Sequence, residues 1–374
     1  MFDNTASRRS FLAAPLALQT APPASKSPST HTKVLGRTGL KVTTVGFGTM
    51  ITSDASVIER AVDLGINYFD TARTYQSGNC ERMVGAALKA HRNKLVLSTK
   101  TGKEDKDGAL QDLETSLKEL QTDHVDIWYI HAKSRADQLT EGRLEAQRIA
   151  KQRGMIRFSG VSTHAGFSEI IPAAIKSGAI DVILTSYNFT MGATIDPLLA
   201  DAKKAGLGVV AMKVMAGGFR RVKPGDPLYH TLKKDGVFPA ALRWSLRNAN
   251  IDTAIPSITD HDQLDENLRC MGASFSPSDS VLLAEQRAFV RPLYCQACGD
   301  CLGVCPKGLP IPDIMRFVMY ADGYGQFAMA REEYLSLPDS ARLVRCEDCV
   351  TCAVRCPNHV AVASRMRRAQ ELFA

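Results

Sequence analysis

The sequence predicts an α/β protein in which a (β/α)8 barrel is followed by a small, mainly helical domain. From about residue 35, eight short β-branched runs alternate with eight amphipathic segments, the pattern of a parallel barrel of roughly 250 residues. The chain has 374 residues, so a second unit is expected after the barrel. Eight of the ten cysteines lie in two short windows near the C-terminus, which gives that unit a composition of its own.

The predicted strands and helices follow one another with short turns. The strands are 42–47, 66–69, 95–98, 125–130, 158–161, 182–184, 209–212 and 253–255, and the helices are 53–64, 80–89, 110–120, 144–152, 167–177, 196–205, 239–247 and 262–271. Several helices end in glycine, at Gly65, Gly154, Gly178 and Gly206, as is common at helix C-termini. A doubly wound open sheet is the alternative, but no G-x-G-x-x-G turn follows the first strand.

The chain divides into three predicted regions: a signal and linker at 1–31, the barrel at 32–287 and a cysteine-rich domain at 288–374. Residues 7–12 read Ser-Arg-Arg-Ser-Phe-Leu and precede a mildly apolar stretch and a Pro/Ala/Ser-rich linker. This arrangement is typical of a twin-arginine export signal, so we expect a periplasmic protein. The alternative is a disordered tail that contains Arg8-Arg9 on a cytoplasmic protein.

Composition argues against two classes of partner. The apolar share of 45% and the charged share of 23% are typical of a soluble globular protein. The net charge of +7 is spread along the chain instead of forming a basic tract, so no nucleic-acid partner is expected. No apolar run approaches the roughly 18 residues of a membrane span, so no membrane span is expected.

Three successive predicted strands each end on an ionisable residue: Asp70, Lys100 and His131. Active sites of such barrels lie at the C-terminal ends of the strands, so these side chains should surround one mouth. Tyr75 follows Asp70 on the loop above the same mouth. Each residue alone is an ordinary strand-end polar group, but the four together predict a catalytic site.

The chemistry open to these four groups is proton transfer to a carbonyl oxygen. A phenol is a poor acid at neutral pH, but a neighbouring cation such as Lys100 favours phenolate and lowers the pKa. Asp70 would hold that ammonium, and His131 would orient a substrate oxygen. Such a site protonates a carbonyl oxygen as hydride reaches the carbon, or runs the reverse reaction.

Three stretches resemble the aldo-keto reductase family. They are the opening at 35–42 (LGRTGLKV) with 46–50 (GFGTM), the stretch 65–75 (GINYFDTARTY) and the stretch 157–164 (RFSGVSTH). The resemblance covers about residues 33–275. It implies a catalytic tetrad of Asp70, Tyr75, Lys100 and His131, a nicotinamide dinucleotide as hydride carrier, and a small carbonyl or alcohol substrate.

The resemblance also implies the cofactor contacts, which are Gly48, Thr49, Ser162, Met212, Lys213, Glu266 and Asn267. Ser162 matches the position whose side chain holds the carboxamide, and Glu266 and Asn267 match the adenine-contacting pair. Two positions depart from the family pattern: its glutamine near the carboxamide aligns with Leu184 and its ring-stacking tyrosine with Met212. The nicotinamide half of the cofactor is therefore expected to be held differently.

The last βα loop bears on the choice between NAD(H) and NADP(H). Members that favour the 2′-phosphate present a lysine and an arginine there, and these positions align with Ser257 and Gln263. Three carboxylates, of Asp260, Asp262 and Asp265, lie nearby in sequence and would repel a phosphate. NAD(H) is slightly favoured; the alternative is that Lys213 or another basic residue binds the phosphate and NADP(H) is used.

The cysteines form two C-x2-C-x2-C-x3-C-P runs, the complete bacterial ferredoxin pattern. In two-cluster ferredoxins the fourth cysteine of each run usually ligates the other cluster. The rule assigns one 4Fe–4S cluster to Cys295, Cys298, Cys301 and Cys356, and the other to Cys346, Cys349, Cys352 and Cys305. Zinc is the alternative, but it normally uses separated C-x2-C pairs. The helical insert between the runs resembles dicluster α-helical ferredoxin modules.

These observations predict an oxidoreductase that interconverts a carbonyl and an alcohol, with two clusters relaying electrons to or from a protein partner. Hydride transfer moves two electrons at once, whereas each cluster accepts one. Two clusters could therefore accept or deliver the two electrons one at a time. Two alternatives remain open. One is an ordinary reductase whose clusters are structural, and the other is a non-catalytic redox or binding subunit on the same fold.

Overall fold

The structure, a computed structural model, describes residues 30–191, 194–218 and 236–374. The predicted export signal and linker lie outside these ranges, except for Thr30 and His31. The described chain opens with an antiparallel hairpin in which β1 (Thr32–Val34) pairs with β2 (Lys41–Thr43). Eight parallel strands follow.

The eight strands curl into a closed barrel. They are β3 (Phe47–Gly48), β4 (Tyr68–Asp70), β5 (Val96–Thr101), β6 (Val125–Ile130), β7 (Ile156–Thr163), β8 (Val182–Ser186), β9 (Gly208–Met212) and β10 (Thr253–Ala254). Each strand pairs in parallel with the next one along the chain. Parallel bridges from Val45 to Ala254 and from Gly48 to Ser257 join the first strand to the last. The predicted (β/α)8 barrel is confirmed.

The first predicted strand, 42–47, is right only in its second half. Its first two residues belong to the hairpin, where Val42 lies opposite Lys33, whereas barrel pairing starts at Val45, which bridges Ala254, and β3 itself begins at Phe47. Barrel closure explains the glycine in that strand, because a Cβ at Gly48 would lie 2.8 Å from the carbonyl oxygen of Ile255. The hairpin closes the end of the barrel where strands begin, with Leu35 buried in the same cluster as Val182.

Helices alternate with the strands as predicted. They are α1 (Ala55–Asp63), α2 (Asn79–Leu88), α3 (Lys106–Glu119), α4 (Glu141–Gln152), α5 (Phe167–Ser177), α6 (Asp196–Lys204), α7 (Val237–Leu246) and α8 (His261–Leu268). Several begin at a side-chain cap, for example Asp105, whose carboxylate accepts a hydrogen bond from the amide of Gly108. Gly178 ends α5 in the left-handed conformation with φ of 64°, as its position predicted.

The C-terminal domain is mainly helical. It contains α9 (Pro277–Val290), α10 (Ile311–Asp322), α11 (Phe327–Leu335), α12 (Asp339–Arg342) and α13 (Val362–Phe373). The predicted boundary between 287 and 288 falls inside α9, which packs on the barrel helix α7 through an ion pair between Arg243 and Asp279. Within the described ranges, no helix has the length and apolar character needed to cross a membrane.

The C-terminal domain packs directly on the barrel. One continuous apolar cluster contains barrel residues such as Tyr187 and Val214 together with Ile314 and Val318 of α10. The two domains approach closely at Gly323, just after α10, where a Cβ would lie 2.1 Å from the carbonyl oxygen of Gly217. This docking places α10 over the C-terminal ends of the barrel strands.

Candidate active site and cysteine clusters

The barrel brings the four predicted catalytic residues together. Asp70 is the last residue of β4, Lys100 lies one residue before the end of β5, and His131 directly follows β6. Tyr75 opens a short 3-10 helix on the loop after β4. The parallel register fixes these strand ends at the same mouth, because Asp70 lies opposite Ser98 and Lys100 lies opposite Tyr129.

Asp70 and Lys100 form a buried ion pair at the floor of the site. The Lys100 Nζ donates to Asp70 Oδ2 at 2.5 Å and to the carbonyl oxygen of Thr71 at 2.6 Å. The Ser98 hydroxyl donates to the other carboxylate oxygen at 2.7 Å. Burial raises the pKa of Asp70 and lowers that of Lys100, and each partner opposes that effect in the other. The pair therefore holds a fixed cation beneath the site.

Tyr75 lies between Lys100 and His131. The Lys100 Nζ is 4.9 Å from the centroid of the Tyr75 ring, and the Tyr75 and His131 ring centroids are 6.0 Å apart in an edge-to-face arrangement. Burial raises the pKa of Tyr75 well above 10, with a further contribution from Asp70. This direction is opposite to the lowering expected from Lys100, because burial dominates and the ammonium already binds Asp70. Tyr75 therefore keeps its proton at neutral pH.

His131 is a neutral imidazole in this environment. Burial, followed by the charges of Lys100 and Arg316, holds the pKa of His131 well below 6.5. A neutral ring still offers one N–H donor, which suits orientation of a carbonyl oxygen.

A second ion pair holds the loop that carries Tyr75. The buried carboxylate of Glu81, on α2, binds the guanidinium of Arg73 and accepts a hydrogen bond from the Thr99 hydroxyl at 2.6 Å. Gly78, with φ of 87°, lies so close that a Cβ there would meet the Arg73 guanidinium. These contacts fix the path of the chain between Asp70 and α2.

A cleft of about 1000 Å3, part of it open to solvent, extends from Tyr75 along the strand ends. Five of the seven predicted cofactor residues line it: Gly48, Thr49, Met212, Lys213 and Asn267. The other two, Ser162 and Glu266, are not among the described residues that line it. The Ser162 hydroxyl accepts a hydrogen bond from the amide of Ala132 at 2.8 Å. The convergence of five predicted contacts on one cleft fits a dinucleotide cofactor, and Ser162 is fully buried.

The C-terminal domain supplies residues that sequence reasoning missed. Tyr324 lines the cleft, and Arg316 and Tyr320 lie beside it on α10. The barrel residue His164 was also missed; it lies 6.4 Å from His131 between ring centroids. It stands at the end of the stretch 157–164, so its position after β7 was a usable signal. No local pattern marks Arg316, because its place depends on how the two domains dock.

A second cavity, of about 410 Å3, adjoins the cleft. His164 and Lys213 line both spaces. The second cavity is also lined by Arg316 and by the cluster residue Cys295. It therefore lies between the barrel mouth and the first cysteine run.

The cysteines group across the two runs as the ferredoxin rule predicts. Cys295, Cys298, Cys301 and Cys356 surround one cavity of about 380 Å3. Burial raises the pKa of Cys346. The nearby thiols of Cys305, Cys349 and Cys352 raise it further, by a smaller amount. In the described part of the chain, no three His, Cys, Asp or Glu side chains are placed to hold a single metal ion.

The cysteine surroundings fit clusters because they already present donors to sulfur. The amide of Ala297 donates to Cys295 Sγ at 3.4 Å, and the Asn358 side chain donates to Cys298 Sγ at 3.6 Å. Hydrogen bonds to ligand sulfur are among the features that set cluster potential. Together, a closed barrel with an acid–base site at its strand ends and a dicluster domain against its mouth define an oxidoreductase with an iron–sulfur module.

Comparison with known proteins agrees with this class. A sequence model described as the Aldo/keto reductase family matches residues 44–285, and one described as a 4Fe-4S dicluster domain matches residues 294–361. The chain belongs to the aldo/keto reductase family.

Named relatives and solved structures match the barrel. L-galactose dehydrogenase of Arabidopsis thaliana is 28% identical over 302 residues, covering 70% of this chain and 94% of the relative. Methylglyoxal reductase DkgB of Escherichia coli O157:H7 is 27% identical over 251 residues, covering 64% and 91%. The holo form of aldo-keto reductase AKR11C1 from Bacillus halodurans superposes with a TM-score of 0.60 at 25% identity, covering 72% of this chain and 98% of that chain.

Proposed function

We propose that this protein interconverts a carbonyl and an alcohol by nicotinamide hydride transfer, and that its two 4Fe–4S clusters relay electrons to or from a protein partner. The observation that carries the chemistry is Tyr75, held beside Lys100 and His131 at the edge of a cleft that five of the predicted cofactor residues line. The names of two relatives, a dehydrogenase and a reductase, support both directions of the reaction.

When bound, the nicotinamide supplies or accepts hydride at the substrate carbon. Tyr75 donates its hydroxyl proton to the carbonyl oxygen as that oxygen gains negative charge, and recovers it in the reverse direction. The Lys100 ammonium, 4.9 Å from the phenol ring, stabilises the phenolate that remains. His131 orients the substrate oxygen as a neutral donor. Positioned proton transfer of this kind contributes about 10²–10⁴-fold to rate.

Turnover of simple aldehydes tests the reductase function. The full-length protein, purified anaerobically, should oxidise NADH or NADPH when an aldehyde is added. No turnover with either cofactor across a panel of small aldehydes would favour the non-catalytic subunit instead.

The cavity between the cleft and Cys295 supports the electron relay. His164 and Lys213 border both the cleft and this cavity, so the first cluster site lies next to the reaction centre. Exposed side chains surround the second cluster site: Val350, between Cys349 and Cys352, is fully exposed, and Leu302 and Val304, which precede Cys305, are 45% and 44% exposed. A partner that accepts single electrons could approach there.

Optical titration separates an electron relay from structural clusters. Under anaerobic conditions, NADH should bleach the cluster absorption of the protein, and an added one-electron acceptor should restore it. Clusters that dithionite reduces but NADH leaves oxidised would support the structural role.

We further propose a preference for NAD(H). Ser257 and Gln263 line the cleft at the positions of the phosphate-binding lysine and arginine. The Gln263 amide donates to the Asp260 carboxylate at 2.5 Å, which keeps that negative charge beside the nucleotide end. Dissociation constants for both cofactors decide the matter: NADPH binding more than about tenfold tighter than NADH, a difference of about 1.4 kcal/mol, would contradict the preference.

Export by the twin-arginine route is also a proposal. Cluster thiolates would risk oxidation in a periplasm kept oxidising, so loading in the cytoplasm and export of the folded protein fit this composition. Changing Arg8→Lys together with Arg9→Lys should retain the protein in the cytoplasm. Arrival of the double variant in the periplasm would refute the signal.

A further inference from the structure

The C-terminal domain forms one wall of the second cavity at the barrel mouth. Helix α10 contributes Pro312, Asp313, Met315, Arg316 and Met319, and the barrel contributes His164, Ala165, Ser186 and Lys213. The cavity of about 410 Å3 is mainly apolar apart from its charged and imidazole groups. The cavity adjoins the cleft, because His164 and Lys213 line both.

Two nitrogen atoms in these walls have unmet hydrogen-bonding capacity. Arg316 Nε is buried from solvent and has no hydrogen-bond partner among the described residues, and the same is true of His164 Nδ1. Arg316 is only partly paired, through a 3.0 Å contact from Nη2 to Asp313, whose side chain is 51% exposed. A buried N–H without an acceptor is costly, so a ligand acceptor in this cavity would satisfy Arg316.

Lys213 adds a second basic group at the same place, and burial lowers its pKa to about 7, so it is only partly charged at neutral pH. It lies just after β9 in the left-handed conformation, with φ of 55°, a strained conformation for a side chain of this size. Its Nζ lies 4.8 Å from the Tyr320 ring centroid and 5.7 Å from that of Tyr324. Two carboxyl groups oppose these basic groups, Asp313 in the cavity wall and Glu333 on α11, and burial raises the pKa of Glu333.

We propose that the substrate carries a carboxylate besides its carbonyl, and that Arg316, with Lys213 and His164, binds this carboxylate. The inference rests on the proposed carbonyl–alcohol chemistry at Tyr75. The guanidinium of Arg316 suits the planar, two-oxygen shape of a carboxylate. Since the two cavities adjoin, a small oxo or hydroxy acid can bind its acid group at Arg316 while its carbonyl reaches Tyr75 and His131.

Matched substrates test this proposal. Succinic semialdehyde and its uncharged carboxamide have the same size, and glyoxylate offers a shorter spacing between the two groups. With wild-type protein, the better of the two acids should exceed the carboxamide in kcat/KM by about 10–10²-fold, the range of a charge-assisted hydrogen bond. Arg316→Met should remove this advantage by lowering kcat/KM for the acid much more than kcat/KM for the carboxamide, while Arg316→Lys should keep part of it.

A control variant and a binding measurement separate recognition from folding. Arg367→Met removes the same charge from an exposed position on α13 and should keep the preference for the acid. Succinate should raise the melting temperature of the wild-type protein, and Arg316→Met should abolish that shift while keeping wild-type iron content.

Three outcomes would overturn the inference. Equal kcat/KM for acid and carboxamide would exclude carboxylate recognition while leaving the proposed reductase function intact. Equal loss of both substrates in Arg316→Met would assign Arg316 a structural role. An Arg316-dependent preference for glyceraldehyde phosphate over both acids would assign the cavity to phosphate. No turnover of any of these compounds by wild-type protein would instead refute the proposed function.

Discussion

The two walls of the active site are built in different ways. On the barrel wall, Asp70, Lys100 and His131 stand at the ends of neighbouring strands, so backbone register alone sets their spacing. On the opposite wall, Arg316 and Tyr320 come from a helix of another domain, held by side-chain packing and polar contacts such as that from Asn188 to Tyr294 at 3.0 Å. In the proposed function, the barrel wall carries the reaction and the docked wall binds the carboxylate of the substrate.

The largest difference in kcat/KM between the two walls is expected on replacing one tyrosine in each of them. Tyr75→Phe removes only a hydroxyl, so kcat/KM for an uncharged aldehyde should fall by about 10²–10⁴-fold while NADH binding persists. Tyr324→Phe, on the docked wall, keeps the ring beside Lys213 and should cost less than about tenfold. Steady-state kinetics on both variants make the measurement. Near-wild-type turnover by Tyr75→Phe would remove this tyrosine from the acid–base role.

The same contrast explains what the sequence could predict. Strand ends are local features, so the alternation of β-branched runs and amphipathic helices identified the barrel, and the residues after successive runs identified Asp70, Lys100 and His131. The cysteine spacing likewise predicted the grouping of Cys356 with the first run, which the shared cavity shows.

Features that depend on tertiary environment escaped prediction. Arg316 lies in a helix between the cysteine runs, and no local sequence pattern marks it as a site residue. Only the docking of the two domains brings it to the barrel mouth. Burial raises the pKa of Tyr75 above its usual value. The sequence identifies charged neighbours such as Lys100 but does not show how deeply the phenol is buried. The first strand was partly misplaced because a hairpin strand and a barrel strand share one β-branched pattern in residues 42–47.

Cluster ligation allows a second test, within the C-terminal domain. Cys356→Ser should disable the cluster next to the barrel mouth, whereas Cys305→Ser should disable the other, because each run donates its last cysteine across. Iron analysis should show losses of up to about half in each variant. Low-temperature EPR after NADH addition should retain a reduced cluster only in Cys305→Ser. NADH-reducible clusters in Cys356→Ser would contradict this order of electron transfer.

Docking itself is tested at Gly323. Ala at this position would place its Cβ 2.1 Å from the Gly217 carbonyl oxygen, so Gly323→Ala should lower the free energy of unfolding by about 1–3 kcal/mol. Reduction of an acid should suffer more than reduction of the matching carboxamide, since Arg316 moves with α10. Gly102→Ala is the control, because no atom of the described residues lies within 4 Å of a Cβ there. Denaturant unfolding measures the free energy of unfolding of both variants. An equal decrease in the two would show that the contact at Gly323 leaves room for a methyl group.

The smallest effect is expected at the nucleotide end of the barrel wall, where Gln263 stands at the position of the phosphate-binding arginine. Gln263→Arg adds a donor suited to a phosphate dianion, but the Asp260 carboxylate, which accepts from Gln263 at 2.5 Å and caps α8, stays beside it. The variant should therefore shift the ratio of NADPH to NADH affinity by no more than about tenfold, or about 1.4 kcal/mol. Adding Asp260→Asn keeps the cap, since asparagine also accepts from helix amides, and should increase the shift. Fluorescence titration of both cofactors measures the ratio. A wild-type ratio already favouring NADPH, unchanged by either substitution, would show that the phosphate is bound elsewhere on the protein.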